Sequence, residues 1–314
     1  MAAYGDSLGR ESSQERSADS AADLAQLRTA ARRGKNTVWQ RFLANRLALF
    51  GLAAIVVLML FVALSPLLLL FDPDAIDYYN ILQSPGSAPH WLGTDDLGRD
   101  VLARLAAGGR VSLAVGLSVS LVATILGALL GAFAGFYRAK VDMLISRIID
   151  VLMSVPLLAL LMVLSGVTKV GPTELVVLMA LTGWMGVARL VRGQVLSLRE
   201  TEFVLAARCL GASGSRIVFR HLLPNVVAPV TVAATLAVAA TILIESALSY
   251  LGFGVRPPTA TWGNMLQGAQ IYMRTAPWLA VLPGVMIALT VVSFNFLGDG
   301  LREAIDPKLK NKGS

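Results

Sequence analysis

Long apolar runs alternate along the chain with short polar breaks. Six runs approach or exceed the roughly 20 helical residues needed to cross a hydrocarbon core about 30 Å thick. They fall at about Leu47 to Phe71, Val111 to Phe136, Ile148 to Gly166, Leu175 to Val191, Val226 to Leu251 and Leu279 to Leu297. Charge, proline or glycine clusters bound each of them. The pattern predicts an all-α, polytopic membrane protein with six transmembrane helices. Prolines 66, 156, 229 and 283 lie inside or near the runs, where they bend helices, and several glycines allow close packing.

Composition agrees with a bilayer rather than water as the solvent. Hydrophobic residues make up 55% and charged residues 15% of the 314 positions, with a mean hydropathy of +0.67, far from soluble averages. The net charge of +7 raises nucleic acid as a partner, but neither aromatic stacking groups nor a known binding module accompanies it. Placement explains the excess instead. With the amino terminus inside, 21 of the 27 Lys and Arg fall on the cytoplasmic side, leaving Arg99, Arg104, Arg110, Lys169, Arg256 and Arg274 outside. The positive-inside bias therefore predicts both termini in the cytoplasm. No small-residue cleavage site follows a short apolar core near the start, so a removable signal peptide is not expected. The lone Cys209 has no intrachain partner for a disulfide.

Residues 1–35 are poor in large apolar side chains and read as a disordered cytoplasmic tail. Residues 36–110 hold the interfacial lead-in "NTVWQRFLANR", the first span and an outside segment. Residues 111–301 carry the other five spans, with a cytoplasmic loop at 193–225, and 302–314 form a carboxy-terminal tail.

Polar residues in the breaks supply the candidate chemistry. In "HWLGTDDLGRDVLARLAAGGR", Thr94 can cap a helix running to Ala107, with Leu97, Val101, Leu102 and Leu105 on one face and Asp95 and Asp96 at its positive end. His90, Asp95, Asp96 and Asp100 lie close in sequence, but without a recurring ligand spacing a capped surface helix is the better reading than a metal site. After Pro257 and Pro258, the residues Trp262, Met265, Leu266 and Ala269 recur at helical spacing, predicting a short helix from Thr261 to Gln270 on the outer face. Glu245 sits deep in the fifth run, where a charge costs roughly 2.5 to 3.5 kcal/mol. It must border a passage or tie helices or subunits together, and no intramembrane Lys or Arg is an obvious counter-ion.

The stretch "EFVLAARCLGASGSRIVFRHLLPN" is too basic to lie in lipid. Phe203, Ala206, Ala207 and Leu210 recur at helical intervals, Gly211 provides a break, and a second helix can start near Ser213 with Arg216 and Arg220 a turn apart, Pro224 preceding the next span. Such a helical hairpin suits a groove on another protein, or an anionic lipid surface. "GASG" with His221 also matches the motif of an intramembrane serine hydrolase, but Ser213 and His221 share one extramembrane segment, whereas that chemistry needs them on separate spans.

Ala206, Ala207, Gly211, Leu223 and Pro224 resemble the cytoplasmic "EAA" loop of ATP-binding-cassette (ABC) importer permeases; Leu205 replaces the usual Glu and His221 the usual Ile. With "HWLGTDDLGRDVLARL", "LGFGVRPPTATWGNML" and "FNFLGDGLREAIDPKLK", the resemblance spans about residues 38 to 310 and is to the second permease subunit of dipeptide, oligopeptide and nickel importers. It implies a type I importer transmembrane domain in a bacterial inner membrane, forming half of the translocation pathway beside a homologous second permease subunit. Two cytoplasmic ATPase subunits or domains would supply ATP and Mg, and an extracytoplasmic binding protein would deliver the solute. No cofactor is implied in this chain, which lacks a GxxxxGK[ST] phosphate loop. By the resemblance, Leu205, Ala206, Ala207, Arg208, Leu210, Gly211, Ala212, Ser213, Arg216, Leu223 and Pro224 form the ATPase-coupling site. Asp95, Asp96, Arg99, Trp262 and Met265 border the outer gate or docking surface, and Glu245 is the leading pathway residue.

Overall fold

The computed structural model describes residues 38–68, 71–137, 140–167 and 171–305. The tail expected at 1–35, Arg138, Lys169 and most of the carboxy-terminal tail lie outside the described residues. A lead-in helical segment, 38–44, precedes α1 (Arg46–Leu68), α2 (Val101–Tyr137), α3 (Lys140–Met153), α4 (Leu157–Val167), α5 (Pro172–Leu198), α6 (Glu202–Cys209), α7 (Gly214–Tyr250), α8 (Trp262–Ala269) and α9 (Trp278–Ile305). Among the described residues there is no strand, only two isolated bridges within the 87–100 segment. The fold class is all-α, as expected.

Five helices, α1, α2, α5, α7 and α9, are long and apolar enough to cross a membrane. The third expected span is not a single helix. α3 and α4 meet at 83° across the Ser154–Pro156 break, so they amount to a sixth span only as a bent pair. Pro156 lacks an N–H and drives the preceding residue out of the helical region, which ends α3 there.

Glycine spacing sets the tightest packing. Gly127, Gly131 and Gly135 recur every four residues along α2 and lie against α5. A Cβ on Gly127 would come within 2.6 Å of the Trp184 carbonyl oxygen, one on Gly135 within 2.8 Å of Val195 Cγ1, and one on Gly131 would collide with the Ala188 carbonyl. Small residues substitute close van der Waals contact for the hydrophobic driving force that lipid does not provide. α7 crosses α2 in the same way, with Gly116 facing Ile242. α9 packs between α1 and α7, and Gly51 on α1 meets the Ser293 carbonyl.

Two expected boundaries are corrected. No helix starts at Thr94. Its hydroxyl donates to the Asn80 carbonyl at 2.5 Å and accepts the Gln83 N–H at 2.9 Å, tying it to a distant loop. Gly98 then adopts a left-handed φ of +75° directly on the Asp77 carbonyl, where any Cβ would collide. The helix begins at Val101 behind Asp100, whose carboxylate accepts the Ala103 N–H at 2.7 Å, and it runs on as the second span. Nor does Pro224 separate the hairpin from the fifth span. Residues Val218–Leu222 form a π-helical turn, and the Leu223 N–H reaches the Val218 carbonyl five residues back. The wider turn accommodates the missing proline donor, so α7 is continuous from Gly214.

Candidate functional site: an elbow and a cap

Two compact structures occupy opposite ends of the long helices. At one end, α6 and the start of α7 form an elbow. α6 closes in a Schellman motif: Ala212 N–H donates to the Ala207 carbonyl (3.0 Å) and Gly211 N–H to the Arg208 carbonyl (2.9 Å), with Gly211 at φ +78°. Ser213 then caps α7, accepting the Arg216 N–H at 3.4 Å. The inner face of the elbow packs Val204 and Ala207 on Ile217, Val218, Leu222 and Val226, with Ala212 and Leu223 partly buried beside them. Phe203, Leu205, Ala206, Arg208 and Leu210 are exposed, Leu210 by 88%.

The expected coupling residues therefore divide. Leu205, Ala206, Leu210 and Arg216 present side chains to the surroundings, whereas Ala207 belongs to the elbow's own core. Arg208 is exposed yet lies 5.2 Å from the centre of the Phe136 ring on α2, an intramolecular cation–π contact. Arg199, at the end of α5, was not singled out from sequence. It is 4% exposed and its Nη1 donates to the Gly135 carbonyl on α2 at 2.8 Å. Only its place just before α6 could have pointed to it.

The hydrolase alternative is overturned. Ser213 is a helix cap, and His221 lies eight residues further along the same helix, about 12 Å at 1.5 Å per residue. Among the described residues the Ser213 hydroxyl's hydrogen-bond partners are the Arg216 N–H and Ser215 Oγ, each at 3.4 Å.

At the other end, residues 71–100 and 251–277 fold into a cap. Asp95 is mostly buried and accepts the Leu97 and Arg99 N–H groups at 2.9 and 3.0 Å and Arg99 Nε at 2.7 Å. Arg104 Nε lies 3.5 Å from Asp95, and its Nη1 donates to Asp74 (3.0 Å) and the Pro73 carbonyl (3.2 Å). His90 Nδ1 pairs with Asp100 at 2.9 Å. The Asn80 amide and the Tyr79 N–H hold the Asp77 carboxyl below the usual carboxylate range. The acids of the metal alternative are thus divided among different protein partners. Among the described residues no group of three or more His, Cys, Asp or Glu converges on a metal position.

α8 opens with a capping box, Thr261 Oγ1 accepting the Asn264 N–H (3.1 Å) and Asn264 Oδ1 accepting the Thr261 N–H (2.9 Å). Between α8 and residues 95–104 lies a cavity of about 280 Å³, bordered by Asp96, Arg99, Met265 and Gln267. Trp262 is corrected as a surface candidate. It is 0% exposed, with its indole N–H donating to the Leu105 carbonyl at 2.9 Å.

Glu245 also differs from a passage residue: it is 0% exposed within this chain. Its carboxylate accepts from Ser249 (2.8 Å), Ser112 (3.2 Å) and Ser246 (3.4 Å), and Ser112 Oγ in turn accepts the Trp262 N–H at 3.2 Å. The acid ties α7, α2 and α8 together, which satisfies a buried polar group without a counter-ion.

Five membrane-length helices and a bent pair thus join a buried polar cap at one end to an elbow with exposed apolar side chains at the other. Residues 127–311 match the family described as binding-protein-dependent transport system inner membrane component, and residues 36–85 match the N-terminal transmembrane domain of oligopeptide transport permease C. The chain belongs to this family of ABC importer permease subunits, which are non-catalytic, multi-pass membrane proteins. It is 44% identical over 279 residues to the oligopeptide transport system permease protein OppC of Escherichia coli (strain K12), covering 87% of this chain and 92% of that protein. It is 42% identical over 269 residues to the dipeptide transport system permease protein DppC of Alkalihalophilus pseudofirmus, covering 85% and 88%. Against the oligopeptide permease OppC of Bacillus subtilis (strain 168) the identity is 38% over 270 residues, covering 86% and 88%.

Proposed function

We propose that this chain forms half of the pathway of an ATP-driven peptide importer and is moved through its elbow by a cytoplasmic ATPase subunit. The supporting observation is the elbow itself: a short helix, held on one side by its own core, leaves Phe203, Leu205, Ala206 and Leu210 unpartnered on the other. Exposed apolar side chains on a fixed helix suit a groove in a partner, and the leucines supply contact energy while Arg216 adds register. Peptide is the favoured cargo because the relatives named above are oligopeptide and dipeptide permeases.

The partners are a homologous second permease subunit, two ATPase subunits holding ATP and Mg, and an extracytoplasmic binding protein. The cap cavity bordered by Asp96, Arg99 and Met265 is the docking surface for the binding protein. The positive-inside bias puts the elbow and both termini in the cytoplasm of a bacterial inner membrane. Purification of the tagged chain from its native membrane tests the reading. A heteromeric complex containing two ATPase subunits is expected, and a stable solitary chain contradicts it.

A further inference from the structure

Both ends of α6 are fastened to the same place. Arg199, three residues before the helix begins at Glu202, donates to the carbonyl of Gly135, and Arg208, near its end, covers the ring of Phe136. Gly135 and Phe136 are consecutive residues in the last turn of α2. Carbonyls in the last helical turn lack intrahelical donors and carry the negative end of the helix dipole, so a buried guanidinium there is a strong cap supplied from another helix. The start of α7 is seated on the same turn: a Cβ at Gly214 would stand 3.0 Å from Phe136 and 2.9 Å from the Tyr137 hydroxyl.

α2 is also the longer of the two spanning helices, α2 and α5, that no internal proline interrupts. Proline interrupts α1, α7 and α9, and the α3–α4 pair is bent, but α2 holds 37 residues without one. Its far end is fixed just as closely. Trp262 at the head of α8 donates from its indole to Leu105 and from its backbone to Ser112, which donates to Glu245. Gly135 lies roughly 35 Å from Ser112 and roughly 45 Å from Leu105 along the axis at 1.5 Å per residue.

We infer that Arg199 and Arg208 are positioning residues that clamp α6 to the Gly135–Phe136 turn, so that α2 carries displacement of the elbow as a rod to α8 at the cap. This rests on the proposed coupling role of α6. The clamp makes the elbow and the inner end of α2 one body. Without it, movement of α6 is absorbed locally and the cap no longer follows.

The test uses the complete complex reconstituted in lipid, with Arg199→Met, Arg208→Gln and Arg199→Lys. Three quantities are read: retention of the ATPase subunits, uptake of labelled dialanine per ATP hydrolysed, and hydrogen exchange over 262–269 with and without vanadate trapping. Both Arg199→Met and Arg208→Gln are expected to keep the ATPase subunits. Uptake per ATP falls roughly tenfold in Arg199→Met, the scale of one charged hydrogen bond, and roughly two- to fivefold in Arg208→Gln, the scale of an exposed cation–π contact, and the vanadate-dependent change in exchange shrinks by similar factors. Arg199→Lys recovers part of both. Should Arg199→Met fail to insert, Arg208→Gln, altered at an exposed side chain, carries the same test.

Unchanged uptake per ATP and an unchanged exchange response in the variants overturn the clamp. So does loss of the ATPase subunits from either variant, which would assign the arginines to docking. A wild-type complex without ATPase subunits is the separate failure of the coupling reading, and the inference falls with it.

Discussion

The cap and the elbow invert one another. In the cap, polar side chains are buried: Asp95, Asp100 and His90 find partners there or on the adjoining first turn of α2, where Arg104 reaches back to Asp74, and Trp262 is wholly enclosed. In the elbow, apolar groups are exposed: Leu210 and Leu205 project from a helix whose inner face is already satisfied. Buried polar and exposed apolar residues are the informative departures from ordinary packing. The cap turns most of its polar groups inward, whereas the elbow turns apolar side chains outward. Between them, Gly127, Gly131 and Gly135 let α2 and α5 pack closely.

Substitutions that break this packing between the ends have the largest expected effect. Gly131→Leu drives a branched side chain into the Ala188 carbonyl, and overpacking of this kind costs about 1–3 kcal/mol or more. Loss of the folded chain from membranes, read by detergent-resistant thermal melting, is expected. A melting profile like that of the unmodified protein contradicts the tight α2–α5 contact.

Next comes the knot that joins the cap to the bundle. Glu245→Ala leaves three serine hydroxyls without their common acceptor, at about 1–3 kcal/mol for an unsatisfied buried group, whereas Glu245→Gln keeps an acceptor oxygen and loses less. Protease cleavage within 251–277 should accelerate strongly in the alanine variant and mildly in the glutamine variant. Equal resistance in all three proteins would remove Glu245 as the tie.

The smallest effect is acid sensitivity of the cap. Because Asn80 and the Tyr79 N–H favour ionised Asp77, its folded value is depressed. Its contribution is therefore present at neutral pH and is lost as the pH falls through that lowered value. Hydrogen exchange at 77–83 should rise only under strongly acidic conditions, and Asp77→Asn should flatten that rise; a rise beginning near neutrality contradicts the assignment.

Much of the bundle was legible because bilayer length and apolar runs answer the same constraint, and the runs ending near Phe136, Val191 and Leu251 correspond to α2, α5 and α7. Capping was harder to read. Thr94 and Asp100 are both acceptable helix caps, and the choice is made by Asn80 and Gln83, partners 14 and 11 residues from Thr94. The proline at 224 reads as a stop, but a π turn absorbs it. Helical spacing placed Trp262 and Met265 on a short helix without showing that the indole turns inward. Arg199 and Glu245 find their partners 64 and 133 residues away, so sequence could show only that Glu245 needed some and could not single out Arg199 at all.

The central claim is that force enters this bundle through the exposed face of α6. Placing a charge at its most exposed apolar position, Leu210→Asp, tests it most directly when ATP-driven peptide uptake and ATPase retention are measured together in the reconstituted complex. The account predicts a chain that inserts normally, loses its ATPase subunits and imports at least roughly tenfold less, the scale of one apolar anchor at an interface. Full retention with undiminished uptake would contradict it.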